Sequence, residues 1–240
     1  MKRKINIGTL ISGGGTNLQA IIDASLDNSI DAKIIFTGSD NPGVKGLERA
    51  EKAGIDTFVV DYSKILSSCR QNGIKETDLP EDFNLNEILS KQNLFGSDTS
   101  LEQTTFFLKS RAIAEKQLLE KILAHEMDLL VLAGFMRVLT PYFIDRINTN
   151  PDKPKIMNIH PALLPSFPGT DGYGDTFAYG CKVGGCTVHY IDYGEDTGPI
   201  IGQKAFEIDD SDTLDDIKKK GLEKEWELYP QCIQKFADSK

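Results

Sequence analysis

Near the amino terminus lies the stretch INIGTLISGGGTNLQAII, residues 5–22. Ile5 to Ile11 is short, apolar and rich in β-branched residues, which predicts a buried strand. The apolar positions among residues 18–22 have the spacing of an amphipathic helix. Ser12-Gly13-Gly14-Gly15-Thr16-Asn17 separates the two, so the order is strand, glycine loop and helix. Such a loop lets the backbone approach a phosphate, which the first amides of the helix then bind.

The glycine loop matches neither of the two common nucleotide-binding patterns. It is not G-x-G-x-x-G, and it lacks the G-K-[ST] ending of a triphosphate-binding loop. We therefore expect the phosphate of a different ligand. The alternative is a tight turn in which Thr16 or Asn17 caps the helix.

Strand and helix patterns alternate along much of the chain. Strands are predicted at 32–37, 56–60, 127–133 and 155–158, and helices at 44–53, 112–125 and 141–147. This alternation predicts a parallel sheet, with 127–133, the most apolar strand, at its centre. Residues 185–191 and 200–206 then form a predicted hairpin, followed by a helix from Ser211 to about Phe236. We expect an α/β fold: a single Rossmann-like domain over 1–240 with a mostly parallel central sheet, helices on both faces, and a C-terminal hairpin plus long helix.

Residues 62–110 interrupt the alternation. They are polar, without a sustained period, and we interpret them as an inserted segment over an edge of the site, with some helix near Leu85 to Lys91. Long irregular segments inside a domain are usually functional or mobile. A disordered excursion is the alternative, and a lid over the ligand is our hypothesis for its role.

Composition narrows the function classes. The 240 residues carry a formal net charge of −9, which argues against a nucleic-acid surface. The four cysteines fit neither a zinc site nor a disulfide framework, so we expect reduced thiols in the cytoplasm and no metal. No apolar run in the sequence reaches membrane-spanning length, and we expect no signal peptide at the amino terminus.

Two segments carry residues suited to a reaction site. Asn158 and His160 end a predicted strand, where side chains two residues apart point to the same face. They can aim an amide and an imidazole at one substrate atom, or they can simply tie down a loop. Gly134-Phe135-Met136-Arg137-Val138-Leu139 follows the central strand, where ligands bind in open α/β sheets. This apolar loop suits a flat aromatic ligand or, alternatively, a docking helix.

Four motifs together resemble the phosphoribosylglycinamide formyltransferase family. Leu10 to Ile21 is similar to its N-terminal loop and Leu132 to Leu139 to its folate-binding loop. Asn158 to Pro165 resembles its catalytic loop, and Glu195 to Ile200 its catalytic aspartate loop. Apart from the inserted segment, the resemblance spans nearly the whole chain in order. One departure is Thr170 to Asp175, a loose glycine-rich run where the family commonly has a histidine-bearing segment.

The resemblance implies a role for each matching residue. The catalytic set is Asn158, His160 and Asp196. Substrate is held by Gly15, Thr16 and Asn17 at its phosphate, and by Glu225 from the last helix. The folate contacts are Arg111, Met136, Arg137, Val138, Leu139, Asn158, Asp192, Tyr193, Gly194 and Glu195.

The reaction implied is formyl transfer from 10-formyltetrahydrofolate, a cosubstrate, to the amine of glycinamide ribonucleotide in purine biosynthesis. The alternatives are another formyl-folate enzyme, acting on a different amine or on water, and a non-catalytic folate or nucleotide sensor. A methionyl-tRNA formyltransferase should carry a basic C-terminal domain, and a formyltetrahydrofolate hydrolase an extra N-terminal domain; we expect neither here. We expect a monomer or homodimer with no nucleic-acid or membrane partner.

Overall fold

The computed structural model describes residues 3–96 and 98–240. Within them, seven strands form one sheet: β1 (Ile5–Ile11), β2 (Ala32–Ser39), β3 (Thr57–Val59), β4 (Leu129–Leu132), β5 (Ile156–His160), β6 (Val183–Tyr190) and β7 (Ile200–Glu207). The helices of the same residues are α1 (Thr16–Leu26), α2 (Lys45–Lys52), α3 (Tyr62–Asn72), α4 (Leu85–Lys91), α5 (Leu101–Ile122), α6 (Pro141–Ile147), α7 (Gly172–Tyr179) and α8 (Leu214–Asp238).

The strand order is β3-β2-β1-β4-β5-β6-β7. The five strands from β3 to β5 pair in parallel, while β6 and β7 are antiparallel to their neighbours. The predicted mostly parallel sheet and the C-terminal hairpin are therefore confirmed. The most apolar strand, β4, is the middle one of the seven, and all four of its residues are buried, because both of its faces are covered by helices.

Helices cover both faces of the sheet, as predicted. On one face the buried residues of α1, α2 and α8 pack on β1 and β2, with Leu18, Ile21 and Tyr229 among them. On the other face α5 and α6 supply Leu108, Phe143 and their neighbours to a second core. Burying apolar surface on both sides is the main favourable contribution to the stability of such a fold.

Residues 62–110 are more regular than their sequence indicated. The predicted helix at Leu85–Lys91 is confirmed as α4, but α3 and the first half of α5 are helical as well. A disordered excursion is therefore wrong. The segment also contributes core residues: Tyr62 and Leu108 are fully buried and Ile88 nearly so. Polar surface positions hid these helices, each of which begins at an Asp, Asn or Ser side chain that caps it.

Two further boundaries differ from the predictions. Thr170 to Asp175 is not wholly loose, because α7 begins at Gly172, with the Asp171 side chain accepting from the Gly174 amide. The last helix begins at Leu214 rather than Ser211. Its cap is Thr213, whose hydroxyl accepts from the Asp216 amide in a capping box.

Candidate active site

The site lies where the chain order of the sheet reverses, between β1 and β4. Ligands of open α/β sheets bind at such a point, beyond the carboxyl ends of the strands. Here the two strands lead into the glycine loop and the Gly134–Leu139 loop. Ser12 joins these loops, since its amide donates to the Gly134 carbonyl at 2.9 Å and its hydroxyl accepts from the Met136 amide at 2.8 Å.

A cleft of about 270 Å³ opens between these loops and the ends of β5 and β6. Most of the residues predicted for the site line it: Asn17, Met136, Arg137, Val138, Leu139, Asn158, His160, Gly194, Glu195, Asp196 and Glu225. Gly15, Thr16, Arg111, Asp192 and Tyr193 are not among its lining residues. Residues nearly 210 positions apart in sequence are thus brought to one cavity by the fold.

The glycine loop turns directly into α1. Gly15 precedes the helix with φ +68°, and its carbonyl accepts from the Gln19 amide. A Cβ there would lie 2.6 Å from the Gly46 Cα, so both the conformation and the close approach require glycine. Within the described residues no side chain caps α1, so the capping role considered for Thr16 or Asn17 is wrong. The first amides of α1 therefore point into the loop, an arrangement suited to an anion.

Asn158 and His160 lie together, as predicted from their strand positions. Asn158 and His160 are two residues apart in β5 and line the same cleft. Asp196 approaches from the β6–β7 connection, with its Oδ2 3.1 Å from His160 Nδ1. Its backbone has φ +56°, an unusual conformation for a non-glycine residue. That conformation is stabilised in part by the Gly169 amide, which donates to Oδ2 at 2.9 Å.

Both ring nitrogens of His160 face acceptors. Nδ1 faces the Asp196 carboxylate, and Nε2 lies 2.7 Å from the Phe167 carbonyl oxygen. A carbonyl can only accept, so Nε2 carries a proton, and an ionised carboxylate favours a second proton on Nδ1. Burial lowers the pKa of His160, but the hydrogen bond and charge of Asp196 outweigh it, so the pKa is raised above 6.5. The geometry therefore favours an imidazolium.

The Asp196 carboxylate has the complementary shift. Burial raises its pKa, but hydrogen bonds from His160, His189 and the Gly169 amide outweigh burial and hold the pKa well below its usual value. A carboxylate that accepts several hydrogen bonds stays ionised at any physiological pH. Asp196 is thus a fixed negative charge beside His160.

His189 is a further member of this group that the sequence did not reveal. It is fully buried on β6, directly opposite Asn158 in the strand register. Its Nδ1 lies 2.9 Å from the Tyr190 carbonyl oxygen, so that nitrogen is the donor. Nε2 lies 3.3 Å from Asn158 Nδ2 and 3.4 Å from Asp196 Oδ1. Through Nε2, His189 therefore contacts both the Asn158 amide and the Asp196 carboxylate from behind.

The remaining walls of the cleft are largely apolar. They include Leu132, Phe135, Val138, Leu139 and Ile191. Met136 stands at the rim with 65% of its surface exposed. A wall of this kind suits a flat heteroaromatic group, with the backbone of the loop available for its polar edge. This is the part of the site predicted to hold folate.

Behind the Gly134–Leu139 loop lies an arginine–aromatic cluster. Arg111 contacts the rings of Phe107 and Tyr62, at 4.9 Å and 5.8 Å from the ring centroids, a cation–π arrangement. Arg137 lies 5.7 Å from the same Tyr62 ring, and its Nε donates to Asp40. Among the described residues, Arg111 Nε and Nη1, Tyr62 Oη and Asp40 Oδ1 are buried without hydrogen-bond partners. Burial lowers the pKa of Arg111 from its ordinary value.

The far side of the cleft holds Glu225 of α8, which is 5% exposed. Asn17 Nδ2 donates to its Oε2 at 2.6 Å, and the Tyr173 hydroxyl donates to its Oε1 at 2.7 Å. Burial raises the pKa of Glu225, against the lowering effect of these two donors and of the His160 charge.

The sequence missed His189, Tyr173 and the two backbone partners at Phe167 and Gly169. His189 left one signal, since it is one of only three histidines and follows Thr187 at strand spacing. No sequence pattern indicated the other partners, because their role depends on how the Pro161–Thr170 connection and α7 pack. Among the described residues, no three His, Cys, Asp or Glu side chains cluster as metal ligands. None of the described helices combines the length and apolar character needed to cross a membrane.

An imidazolium, an ionised carboxylate and an amide thus meet at one end of an apolar cleft, with the glycine loop nearby. That combination can stabilise negative charge on a carbonyl oxygen and move a proton between two nitrogens. The fold and site therefore define an enzyme of the acyl-transfer class.

Comparisons with known proteins narrow the class. Residues 5–233 match the family model described as formyl transferase. The chain is 33% identical to the phosphoribosylglycinamide formyltransferase of Bacillus subtilis (strain 168), over 94% of this chain and 91% of that protein. It is also 30% identical to the Escherichia coli (strain K12) protein of the same name, over 98% of this chain and 89% of that protein. The chain belongs to the formyl transferase family, as its motifs predicted.

A solved structure supports the same placement. The crystal structure of glycinamide ribonucleotide transformylase 1 from Symbiobacterium toebii matches with a TM-score of 0.73 and 32% identity. The match covers 100% of this chain and 90% of that one. The predicted fold class and the predicted enzyme class are therefore confirmed.

Proposed function

We propose that the chain transfers the formyl group of 10-formyltetrahydrofolate to the primary amine of glycinamide ribonucleotide in purine biosynthesis. The observation that carries this proposal is the His160–Asp196 pair, which stands in one cleft with the apolar Gly134–Leu139 loop and with Asn17 and Glu225. One wall suits the folate and the other suits a phosphorylated sugar. The reacting atoms of the two ligands would meet at the pair.

The residues present fit a formyl folate. The apolar lining accommodates a pterin between the Gly134–Leu139 loop and the Asp192–Asp196 loop. The buried, unpartnered N–H groups of Arg111 are suited to a carboxylate, which supports a role for Arg111 toward the acidic end of the folate. No metal is needed for this chemistry, because bound formyl folate supplies an activated amide carbon.

The acceptor side is built for a sugar phosphate. The amides of Gly15, Thr16 and Asn17 stand at the N-terminus of α1, where an anion is favoured. Asn17 Oδ1 is a buried acceptor with no partner among the described residues, and Glu225 supplies two carboxylate oxygens beside it. Hydroxyl groups of a ribose are suitable donors for these acceptors.

The chain's own groups then have two tasks. The first is to meet the negative charge that develops on the formyl oxygen when the amine attacks, and an N–H of Asn158 and the His160 imidazolium are the donors. The second is to move a proton from the attacking nitrogen to the leaving nitrogen. The His160 imidazolium gives a proton to the leaving nitrogen and, once neutral, takes one from the attacking nitrogen, while Asp196 stabilises the charged form. Donation to substrate requires His160 to exchange its bond to the Phe167 carbonyl for one to the reacting group.

An assay of the purified protein with both substrates tests the proposal. We expect tetrahydrofolate to form only when glycinamide ribonucleotide is present, and the formylated ribonucleotide to appear in equal amount. Folate product without the amine would instead identify a hydrolase that uses water. Binding of both ligands by calorimetry, with no product, would identify a non-catalytic sensor.

The same proposal extends to the protein's setting. A purine biosynthetic enzyme of this type acts in the cytoplasm, and it works as a monomer or homodimer without nucleic-acid partners. Sedimentation of the purified protein at several concentrations measures the oligomeric state.

A further inference from the structure

Tyr173 lies in the Thr170–Asp175 run, one of the two places where the sequence departs from the family pattern. It is 6% exposed, and its ring packs against Phe206 with centroids 6.2 Å apart. Ile217 of α8 completes this small apolar cluster. The ring is therefore fixed by packing, and its hydroxyl is directed toward the interior.

The tip of the ring crosses α8 at Gly221. A Cβ at Gly221 would lie 2.1 Å from Tyr173 Cζ and 2.3 Å from its hydroxyl oxygen. Any other residue at 221 would therefore displace the phenol, which is a close approach that only glycine permits. Glu225 lies one turn further along the same helix, and its Oε1 receives the Tyr173 hydrogen bond at 2.7 Å.

We infer that Tyr173 is a positioning residue for the acceptor substrate, which anchors Glu225 so that its free lone pairs and Asn17 Oδ1 accept from the vicinal hydroxyls of a ribose. The two observed donors occupy one site on each carboxylate oxygen, and a carboxylate has about four such sites. The remaining sites lie in the cleft with Asn17. This assignment rests on the proposed function, since the ribose belongs to the acceptor.

The protonation state of Glu225 links this arrangement to pH. The titratable groups that interact with it are Tyr173 of α7, His160 of β5, Cys186 of β6 and Tyr229 of α8. Burial raises the pKa of Cys186 to about 12 and that of Tyr229 well above 10, so both stay neutral. Burial also raises the pKa of Glu225, and the Tyr173 hydrogen bond opposes that rise. Removing the hydroxyl should therefore protonate Glu225 at a higher pH.

The test is Tyr173→Phe, which keeps the ring and removes only the hydroxyl. We expect the KM for glycinamide ribonucleotide to rise about tenfold, the order expected for one hydrogen bond to a charged group. The kcat and the KM for formyl folate should stay within about twofold of wild type, because the variant leaves the reaction centre intact. The acid limb of kcat/KM for the ribonucleotide should move to higher pH. Tyr179→Phe, an 80% exposed tyrosine of the same helix, is the matched control and should change none of these.

A double-mutant cycle with Glu225→Gln separates positioning from general packing. If Tyr173 acts through Glu225, Tyr173→Phe has little further effect on ribonucleotide binding in the Glu225→Gln background. Calorimetry and thermal unfolding of all four proteins provide the readouts. An unchanged ribonucleotide KM and acid limb in Tyr173→Phe, or a fall in kcat with both KM values raised, would overturn the assignment. A wild type that neither binds nor formylates the ribonucleotide would overturn the proposed function and this assignment together.

Discussion

Two regions beside the same cleft differ in whether their buried polar groups have hydrogen-bond partners. At the reaction centre, His160, His189, Asn158 and Asp196 bond to one another or to nearby backbone. In the arginine–aromatic cluster, polar atoms of Arg111, Tyr62 and Asp40 are buried without partners among the described residues. A buried polar group without a partner costs stability. The contrast supports the proposal that a ligand completes the cluster, whereas the chain alone organises the reaction centre.

The largest effect is expected from a substitution of Asp196 in the reaction centre. Asp196→Asn removes the charge that keeps His160 protonated while preserving the shape of the side chain. We expect kcat to fall by ~10²–10⁴-fold, the usual contribution of a general acid–base group. His160→Ala should lower kcat by a similar factor. Single-turnover kinetics would measure the loss, with circular dichroism to verify the fold. Near wild-type turnover in both variants would contradict the proposed mechanism.

The next effect concerns His189, which supports Asn158 and Asp196 from behind. His189→Leu is similar in volume and removes both contacts, so the amide and the carboxylate lose their fixed orientation. We expect kcat to fall by about 10²-fold, as for a small misplacement of reacting groups, with both KM values little changed. His125→Asn is the control, since His125 lies outside the cleft lining. A kcat equal to that of the control would show that His189 is only a core residue.

A smaller effect is expected in the arginine–aromatic cluster. Arg111→Met keeps an unbranched apolar stem between Phe107 and Tyr62 but removes the free N–H groups. We expect the KM for formyl folate to rise about tenfold with kcat nearly unchanged. The free energy of unfolding should hold or increase, because N–H groups that are buried without hydrogen-bond partners are removed. Lys109→Met on the same helix should leave the KM unchanged. An unchanged folate KM in Arg111→Met, or a large loss of stability, would mean that the cluster is structural.

The smallest effect is expected at Tyr193, in the Asp192–Asp196 loop. The Tyr193 hydroxyl donates to Asp145, which also pairs with Lys91 of α4, and the Asn93 amide donates to the Tyr193 carbonyl. These contacts attach the 62–110 segment to the Asp192–Asp196 loop. Tyr193→Phe should raise the folate KM by about threefold, consistent with a partly exposed hydrogen bond. No change would count against a role of this segment in folate binding.

Those contacts also refine the lid hypothesis for residues 62–110. Tyr62, Ile88 and Leu108 belong to the core, so opening the whole segment would expose apolar surface at a considerable cost. The lid remains a proposal, which a hydrogen-exchange comparison with and without folate addresses.

The parts of this structure that follow from local sequence were predictable. β1, the glycine loop and α1 each show a local pattern, as do β4 and α6, whose predicted span of 141–147 is the observed one. Asn158 and His160 were placed on one face of a strand by spacing alone, and the structure agrees. Asp196 was predicted only from the resemblance. It lies in the β6–β7 connection with a left-handed backbone conformation, and such a segment has no periodic pattern that could indicate it.

The parts that depend on packing were not predictable. His189 meets Asn158 through the register of β5 with β6, and nothing in either strand sets that register alone. Tyr173 reaches Glu225 because Gly221 leaves room for its ring, a relation between residues 48 positions apart. The helices of the 62–110 segment were obscured because their buried residues are few and widely spaced.

The most direct test of the His160–Asp196 pair is an NMR titration of the His160 imidazole in ¹⁵N-labelled protein, assigned with His160→Asn. Because Asp196 raises its pKa above 6.5, the imidazolium should persist to a higher pH than that of a free histidine, and turnover should decline as the pH rises through that pKa. In Asp196→Asn, burial acts without the opposing charge, so the pKa should fall below 6.5. A wild-type His160 that titrates at or below 6.5, with no change in Asp196→Asn, would contradict the imidazolium mechanism.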